Sequence, residues 1–459
     1  MKRASATAVF LLGIGLAAML QGCSMSQLPS EEDVRELFSE TQVSTDTGLT
    51  EETRSAQTTQ TLQAESQTSE STPSQEESRV FESAQETEHI ASSEESDDSR
   101  APDAAQLEAD RESIGLTEQN LGILKQAQSG NYYYGLCDEN QKVLYVEIYQ
   151  ILLKQAEAIK ISTTDTGSLS YVYQAVLNDH PELFYLSGYT YTKHTVNGAI
   201  KYLTLTGKYL YDAQEVSARQ SRIESAADSA IAGITATDSY GKAKAVYEYL
   251  ILNTQYSAAS ADNQNICSVF LDHTSVCNGY AKAAQYLFQK LGIPCILVNG
   301  DAGGGRHAWN IVLLDGDYYQ FDATWGDPSY YSTSSAQAPD IDYAYLNVTT
   351  QQITRNHMID TKYQVPECTA QQDNYFVREN RYFTSYEEDK IEAVFDAAKQ
   401  NGETYVTIQA ADAATYQQLY DSLITNQKIF RYFQGNESGG KYSIAYTSND
   451  TLFTLSFWK

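Results

Sequence analysis

Three residues in the middle of the chain, Cys277, His307 and Asp322, carry the side chains that a thiol nucleophile needs for catalysis. In such a set the thiolate attacks, the imidazole carries the proton, and a carboxylate behind the ring orients the imidazole. The Cys precedes a predicted helix, and the other two residues lie in consecutive β-type segments, 307–314 and 318–324. This order of residue types indicates nucleophilic catalysis by a cysteine.

The element that must position Cys277 is a predicted helix over residues 278–291, which Gly292 and Pro294 terminate. The unsatisfied N–H groups and the dipole at a helix start favour a thiolate, the nucleophilic form. Gly279 allows close approach of the backbone in the first turn. Cys277 could instead be a small buried packing residue, as many free cysteines are, and its position alone does not decide between the two interpretations.

A predicted hairpin must bring His307 and Asp322 together. Asp315-Gly316 is a strong signal for a two-residue turn, which would pair Leu314 with Asp317. In that register His307 and Asp322 lie on one face as diagonal neighbours, whose Cα atoms are about 7–8 Å apart. A slip of one residue would place them on opposite faces, so the predicted pairing depends on this turn.

Five short motifs in this part of the chain resemble those of the bacterial transglutaminase-like superfamily. They are Val276-Cys277-Asn278-Gly279-Tyr280-Ala281, Leu291-Gly292-Ile293-Pro294-Cys295, His307-Ala308-Trp309-Asn310, Asp315-Gly316 and Asp322-Ala323-Thr324-Trp325-Gly326-Asp327-Pro328. They occur in the order of the family, with comparable gaps, and the resemblance covers roughly residues 236–330. The segment Asp179-His180-Pro181-Glu182-Leu183-Phe184-Tyr185 is also similar to the N-terminal companion of exported members.

The resemblance implies that Cys277 is the nucleophile, His307 the base and Asp322 the orienting carboxylate. It further implies attack on a carboxamide or peptide carbonyl and a thioester that water or an amine resolves. The backbone N–H of Cys277 would stabilise the oxyanion together with one upstream donor, for which Tyr256 and Gln264 are both candidates.

Two aromatic residues and one glycine complete the resemblance. Trp309 and Trp325 are expected to shape the site and exclude water from it. Gly326 departs from the family pattern, because many relatives have Asp at this position, in Thr-Trp-Asp-Asp-Pro. Asp322 is present, so we expect little damage to the triad.

The first 23 residues have the features of an export signal. Lys2 and Arg3 precede an apolar run from Ala8 to Leu20, which is short for a membrane-spanning helix. The run ends at Leu20-Gln21-Gly22-Cys23, which resembles a bacterial lipobox. We therefore expect lipidation of Cys23 and anchoring at the extracytoplasmic face of the cell membrane; an ordinary signal peptide with an unrelated Cys is the alternative.

Residues 24–110 have the composition of a disordered tether. They contain 22 Asp and Glu, four Arg and no Lys, and their only aromatic residues are Phe38 and Phe81. Such a segment cannot bury enough apolar surface to offset its ordering entropy. Binding of cations by this acidic run is the alternative role. The rest of the chain is only moderately acidic, so we expect no nucleic-acid partner.

The remaining sequence predicts an α+β fold with a papain/transglutaminase-like core. We expect a mainly helical N-terminal region with a hairpin over 111–232, a catalytic domain over 233–355 and a small α+β domain over 370–459. Besides Cys23 there are five cysteines, Cys137, Cys267, Cys277, Cys295 and Cys368, and this odd number predicts at least one free thiol. No CxxC pair occurs, and we expect neither a metal nor an organic cofactor.

Three functions remain open at this level. The preferred one is a cell-surface cysteine hydrolase or peptidase that cleaves amide bonds of a peptide or protein substrate, for which cell-wall material is a candidate. A transamidase that cross-links proteins would share the thioester and differ only in the acceptor. A non-catalytic lipoprotein that binds a polymer or a peptide is the third.

Overall fold

The structure, a computed structural model, describes residues 58–63, 90–97, 104–328, 339–433 and 443–458. The chain divides into a unit of residues 1–54, which lies outside the described residues, and a unit of residues 55–459. The predicted signal sequence and Cys23 belong to the first unit. No helix among the residues that the structure describes is both long enough and apolar enough to cross a membrane.

Part of the range predicted to be a disordered tether forms strands, β1 (Thr58–Gln63) and β2 (Ile90–Asp97). β1 pairs antiparallel with the strand Ser443–Asn449, and β2 pairs parallel with the strand Leu186–Val196. A sheet edge offers unpaired backbone groups, so an extended segment can pair there through its backbone alone. The prediction of disorder does not hold for these two stretches. The first described helix also begins at Ala104, before the predicted end of the tether.

The N-terminal region combines helices with a small sheet. The helices are α1 (Ala104–Ser113), α2 (Glu118–Ala127), α3 (Tyr132–Gly135), α4 (Glu139–Leu153), α5 (Thr166–Asp179) and α6 (Ala213–Ala232). The strands are β3 (Ile159–Ile161), β4 (Leu186–Val196) and β5 (Ala199–Tyr209), and the sheet order is β2-β4-β5-β3. The predicted hairpin turn is present at Asn197 and Gly198, which both have positive φ, 54° and 77°.

The central region contains the helix and the hairpin predicted to carry the site. Its helices are α7 (Ser239–Asn253), α8 (Cys277–Lys290) and α9 (Thr350–Ile353). Its strands are β6 (Gln255–Tyr256), β7 (Thr274–Ser275), β8 (Cys295–Ala302), β9 (Gly305–Leu314), β10 (Asp317–Phe321), β11 (Leu346–Val348) and β12 (His357–Ile359). The main sheet has the order β11-β10-β9-β8-β12. Ala281 of α8 packs against Leu297 and Ala308 of this sheet, and their small or apolar side chains let the helix lie close to the strands.

The C-terminal region forms a second sheet with its own helices. Its elements are α10 (Tyr375–Arg378), β13 (Tyr382–Phe383), α11 (Glu388–Gln400), β14 (Tyr405–Ala410), α12 (Ala413–Tyr420), α13 (Ile429–Tyr432), β15 (Ser443–Asn449) and β16 (Thr454–Trp458). The sheet order is β1-β15-β16-β14-β13. The predicted α+β class is therefore confirmed.

Among the described residues, the buried apolar side chains form two large cores. One extends from Leu116 to Phe376, with Leu452 added to it, and includes both the N-terminal and the central region. The other extends from Phe383 to Phe457 in the C-terminal region. The N-terminal and central regions thus share one core, and the helix that carries Cys277 lies inside it.

Candidate active site

Cys277 is the first residue of α8, and only 4% of its surface is exposed. Val276 precedes it in an extended conformation, and no side chain caps the N–H groups of this helix start. Glycine at position 279 lets the helix start lie close to the preceding loop, because a Cβ there would clash with Ser275 and lie 2.8 Å from Ser268 Oγ. The first turn therefore packs against the preceding loop, as expected for Gly279, and keeps backbone N–H groups next to the sulfur.

The hairpin of β9 and β10 has the predicted register, with Leu314 opposite Asp317. Asp322 directly follows β10, and its Oδ2 lies 2.7 Å from Nε2 of His307. Its other oxygen, Oδ1, accepts hydrogen bonds from the backbone N–H groups of Thr324 at 2.9 Å and Trp325 at 3.0 Å. Both side chains of the His–Asp pair are buried. The backbone thus holds one oxygen of the carboxylate, while the other oxygen contacts the His307 ring.

The side chain of Cys277 lies beside the His307 ring and is one of the groups that raise its pKa. Because Asp322 occupies Nε2, Nδ1 is the ring nitrogen that remains for the sulfur. Burial disfavours the charged ring, but Asp322 and Cys277 outweigh this effect and raise the pKa of His307 to about 10. Burial likewise opposes the Asp322 charge, yet His307 and His357 hold the pKa of that carboxyl well below its usual range. At neutral pH the ring is therefore an imidazolium.

The structure places a second imidazole at the site, that of His357 in β12. Its Nε2 lies 3.0 Å from the same Oδ2 of Asp322, and its side chain is completely buried. Sequence reasoning missed this residue, because it lies 35 positions beyond Asp322 and outside the motifs that resemble the family. A single histidine in a three-residue strand carries no local pattern that would single it out.

The two predicted tryptophans enclose the imidazoles. The Trp309 ring is nearly parallel to that of His307, with centroids 5.6 Å apart, and its Nε1 donates to Gln320 Oε1 at 2.7 Å. The Trp325 ring centroid lies 4.7 Å from that of His357. Both indoles are buried. They cover the polar cluster with apolar surface, which strengthens its internal electrostatic interactions.

A direct hydrogen bond connects the helix of the sulfur to the strand of the imidazole. Asn310 of β9 donates through Nδ2 to the carbonyl of Ala281 in α8, at 3.0 Å. Ala281 lies one helical turn after Cys277, and Asn310 lies three residues after His307. The bond therefore fixes the spacing between the two elements that carry the reacting pair.

Both candidates for the upstream oxyanion donor lie beside the first turn of α8. Gln264 Oε1 accepts a hydrogen bond from Asn278 Nδ2 at 3.3 Å, at the residue after Cys277. The Tyr256 ring packs against that of Tyr280, with centroids 6.4 Å apart. The geometry therefore leaves both candidates near the helix start.

The unusual Gly326 has a steric reason in this chain. A Cβ at this position would collide with the ring of Tyr247, whose hydroxyl donates to the carbonyl of Asp342 at 2.6 Å. Asp327 Oδ2 accepts a hydrogen bond from the Tyr280 hydroxyl at 2.7 Å. The Tyr247 ring thus fills the space beside Gly326, and Asp322 keeps its position.

The segment from Asp179 to Tyr185 connects the N-terminal region to α8, the helix that begins at Cys277. Gln285 and Gln289 of α8 donate through Nε2 to the carbonyls of Asn178 at 2.7 Å and Asp179 at 3.0 Å. The Asp179 carboxylate is buried and accepts hydrogen bonds from the backbone N–H groups of Tyr133 and Tyr134. The motif therefore acts here as a structural junction.

Within the described residues, His307, Asp322 and His357 are also the one group with the ligand types and spacing for a metal ion, with ligand atoms within 4.8 Å of one another. Both Nε2 atoms lie at hydrogen-bond distance from one carboxylate oxygen. A carboxylate accepts from two ring N–H groups in this geometry without further ligands. We therefore interpret the group as hydrogen-bonded side chains.

Comparison with known proteins gives one family and two partial structural similarities. Residues 228–323 match the model of the transglutaminase-like superfamily. A crystal structure of a TGase is 15% identical with a TM-score of 0.23, and the match covers 33% of this chain and 53% of that one. A candidate cysteine protease from Cytophaga hutchinsonii is 15% identical with a TM-score of 0.21, covering 29% of this chain and 61% of that one.

The chain thus spans between about half and three fifths of these two solved structures. No curated protein matches it. The matched range of the family model contains Cys277, His307 and Asp322, the three residues that the structure brings together. Residues 228–323 thus form a transglutaminase-like region of the chain.

Proposed function

We propose that this protein is a cysteine hydrolase that cleaves amide bonds of peptides or proteins through a thioester on Cys277. The observation that carries the proposal is the continuous chain of contacts from the Cys277 sulfur to His307 and from His307 to Asp322. All three groups are buried. Thiol, imidazole and carboxylate in this order are what nucleophilic catalysis by a cysteine requires.

The mechanism follows from the positions of these groups. The thiolate of Cys277 attacks the carbonyl carbon, and the N–H groups at the uncapped start of α8 stabilise the negative charge on the oxygen. The imidazolium of His307 gives its proton to the leaving amine, and the C–N bond breaks to give a thioester. His307, now neutral, takes a proton from water, which attacks the thioester and releases the acid. Asp322 holds the ring in orientation throughout.

The four other described cysteines differ from Cys277 in their surroundings. Burial raises the pKa of Cys137, Cys267 and Cys368 to about 12, and burial raises that of Cys295 well above its ordinary value. These thiols are protonated at neutral pH and therefore unreactive. Only Cys277 of the five contacts an imidazolium, which supports its role as the nucleophile.

The acceptor of the acyl group distinguishes the two enzymatic alternatives. A transamidase would resolve the thioester with an amine, and a hydrolase would use water. We prefer hydrolysis, because water is always present and no described feature indicates a binding site for a lysine side chain. The non-catalytic binding lipoprotein is disfavoured by the intact set of contacts among Cys277, His307 and Asp322.

We further propose that the protein acts at the extracytoplasmic face of the cell membrane, anchored by lipid on Cys23. The support for this is the sequence Leu20-Gln21-Gly22-Cys23 after an apolar run. Peptide or protein substrates outside the cell, including those of the wall, would then be within reach. Metabolic labelling with a fatty-acid analogue tests the anchor, and Cys23→Ser should abolish the label.

The test of the function uses the purified protein and a peptide library. At neutral pH an iodoacetamide reagent should label Cys277 in preference to the other cysteines, and mass spectrometry locates the label. Peptide release that Cys277→Ala abolishes and Cys295→Ala preserves would support the hydrolase. Incorporation of a fluorescent amine into a glutamine-containing acceptor would support the transamidase. Full activity of Cys277→Ala would contradict both.

A further inference from the structure

One carboxylate oxygen at the site binds two imidazoles. Oδ2 of Asp322 lies 2.7 Å from Nε2 of His307 and 3.0 Å from Nε2 of His357. The carboxyl group is ionised, because the two rings hold its pKa well below the usual range despite burial. An ionised carboxylate can only accept hydrogen bonds, so both Nε2 atoms must carry a proton. The two rings therefore act as two donors to a single atom.

His357 cannot contact a substrate. None of its side-chain surface is exposed, and the aromatic rings of Trp325, Trp309 and Tyr345 surround it, with centroids 4.7, 5.1 and 5.9 Å from its own. Its backbone pairs with Ala302 at the end of β8. Any effect of this ring on the reaction must pass through its neighbours, of which Asp322 accepts its hydrogen bond and His307 lies with its ring centroid 5.4 Å away.

The orientation of the Asp322 carboxylate depends on both of its oxygens. Backbone N–H groups of Thr324 and Trp325 hold Oδ1, and the two imidazoles hold Oδ2. The terminal torsion of an aspartate has a broad energy minimum. Without the second imidazole, His307 would be the one hydrogen-bond partner of Oδ2 among the described residues.

We propose that His357 is a positioning residue that fixes Oδ2 of Asp322 for its contact with His307. This inference rests on the proposed function, because it assumes that His307 transfers protons during a reaction. It also assigns an electrostatic role to His357. The Nε2–H group of His357 interacts with the negative charge of the Asp322 carboxylate. The carboxylate therefore stabilises the His307 imidazolium less, and His307 releases its proton more readily to the leaving amine.

The other nitrogen of the His357 ring, Nδ1, also has a polar neighbour. Nδ1 lies 2.6 Å from Oδ1 of Asn356, whose Nδ2 donates to the Tyr345 hydroxyl at 3.0 Å. Burial lowers the pKa of His357, although Asp322 opposes this effect. The charged groups that face it are Asp322 and His307, with Cys277 beyond His307. The imidazole therefore has a polar neighbour at each ring nitrogen, and the Nε2 contact with Asp322 is the one that positions the carboxylate.

Two amide substitutions separate positioning from packing. In His357→Gln the amide nitrogen can reach Asp322 from where Nε2 lies, whereas in His357→Asn the shorter amide occupies the position of Nδ1 and cannot reach Asp322. Both variants are neutral and polar, and thermal unfolding should show that both fold. We expect His357→Gln to stay within about threefold of the parent in kcat, and His357→Asn to lose about 10- to 100-fold, the size of effect known for residues that orient a functional histidine.

A second readout does not depend on turnover. The chain has six histidines, so the ring signals in nitrogen NMR can be assigned by single substitutions. The pKa of His307 should rise in His357→Asn and stay near that of the parent in His357→Gln. Equal His307 titrations in all three proteins would overturn the positioning role, whether or not a substrate is known. If the titrations differ as expected but no peptide is cleaved, the positioning role stands and the hydrolase fails.

Discussion

The central and C-terminal regions each combine a five-stranded sheet with helices, yet they use buried polar side chains differently. In the central region the buried groups His307, Asp322 and His357 bind one another. In the C-terminal region Gln409 donates to the Leu452 carbonyl, and Asn449 accepts from the backbone N–H groups of Thr451 and Leu452. Amides that satisfy backbone groups stabilise turns and strands, whereas ionisable groups that share protons can do chemistry. The location of the ionisable groups, more than the architecture, indicates where the function lies.

The largest expected effect comes from removing the sulfur. Cys277→Ala should reduce turnover by about 10⁵–10⁶-fold, because no other described thiol contacts an imidazole. Peptide cleavage assays measure this loss, and Cys368→Ala is the control, since burial raises the pKa of that thiol to about 12. Equal losses in both variants would contradict the role of Cys277 as the nucleophile.

Asp322→Asn should have the next largest effect, a loss of about 10³–10⁴-fold in kcat. The amide oxygen can still accept the backbone N–H groups of Thr324 and Trp325, so the loop should keep its fold. The charge opposite His307 disappears, and the ring loses the partner that supports its ionised form. Circular dichroism checks the fold, and retention of more than about a tenth of the parent activity would contradict the orienting role.

The pH dependence follows from the raised pKa of His307, about 10. Activity should fall as the pH rises through this value, because the imidazolium that protonates the leaving amine is lost. The same shift stabilises the folded protein: the contribution is fully present below pH 6.5 and is lost as the pH rises through about 10. In Asp322→Asn the alkaline decline should move to lower pH.

Rates measured between about pH 6 and 11 test this expectation, together with unfolding measurements over the same range. His273→Asn is the control, because His273 is exposed and its Nδ1 lies 3.1 Å from the carbonyl of Asn253. An alkaline limit that Asp322→Asn does not move would mean that another group determines it.

The smallest expected effect on activity comes from the C-terminal core. Ile408 is completely buried in β14 and packs in the second core. Ile408→Ala should lower the free energy of unfolding by about 2–5 kcal/mol, while kcat well below the unfolding temperature should stay within about twofold. Chemical denaturation and peptide cleavage measure the two quantities. A large loss of activity in the folded variant would show that the C-terminal region contributes to the site.

The features that the sequence predicts correctly are those set by neighbouring residues. Asp315 and Gly316 have positive φ, 50° and 99°, and their turn determines the register that brings Asp322 to His307. The helix after Cys277 likewise follows from its own stop signals at Gly292 and Pro294. These elements depend on a few adjacent residues, so their sequence patterns are informative.

The features that were missed depend on contacts between distant segments. His357 reaches Asp322 only because β12 pairs with β8 at the far edge of the sheet. β1 and β2 have no apolar pattern, and their strand conformation comes from pairing with β15 and β4. No local sequence pattern encodes such distant strand partners. The catalytic roles of Cys277, His307 and Asp322 stay predictions, which the assays above test.

The glutamine bonds from α8 to Asn178 and Asp179 have a practical consequence for anyone who expresses part of this chain. A fragment cut at the edges of the family match, 228–323, would expose the apolar surface that the N-terminal region covers and remove the carbonyls of Asn178 and Asp179 that accept from Gln285 and Gln289. Such a fragment should aggregate or stay unfolded. The smallest autonomous unit that contains the nucleophile therefore begins well before the family boundary, near the start of the helical region.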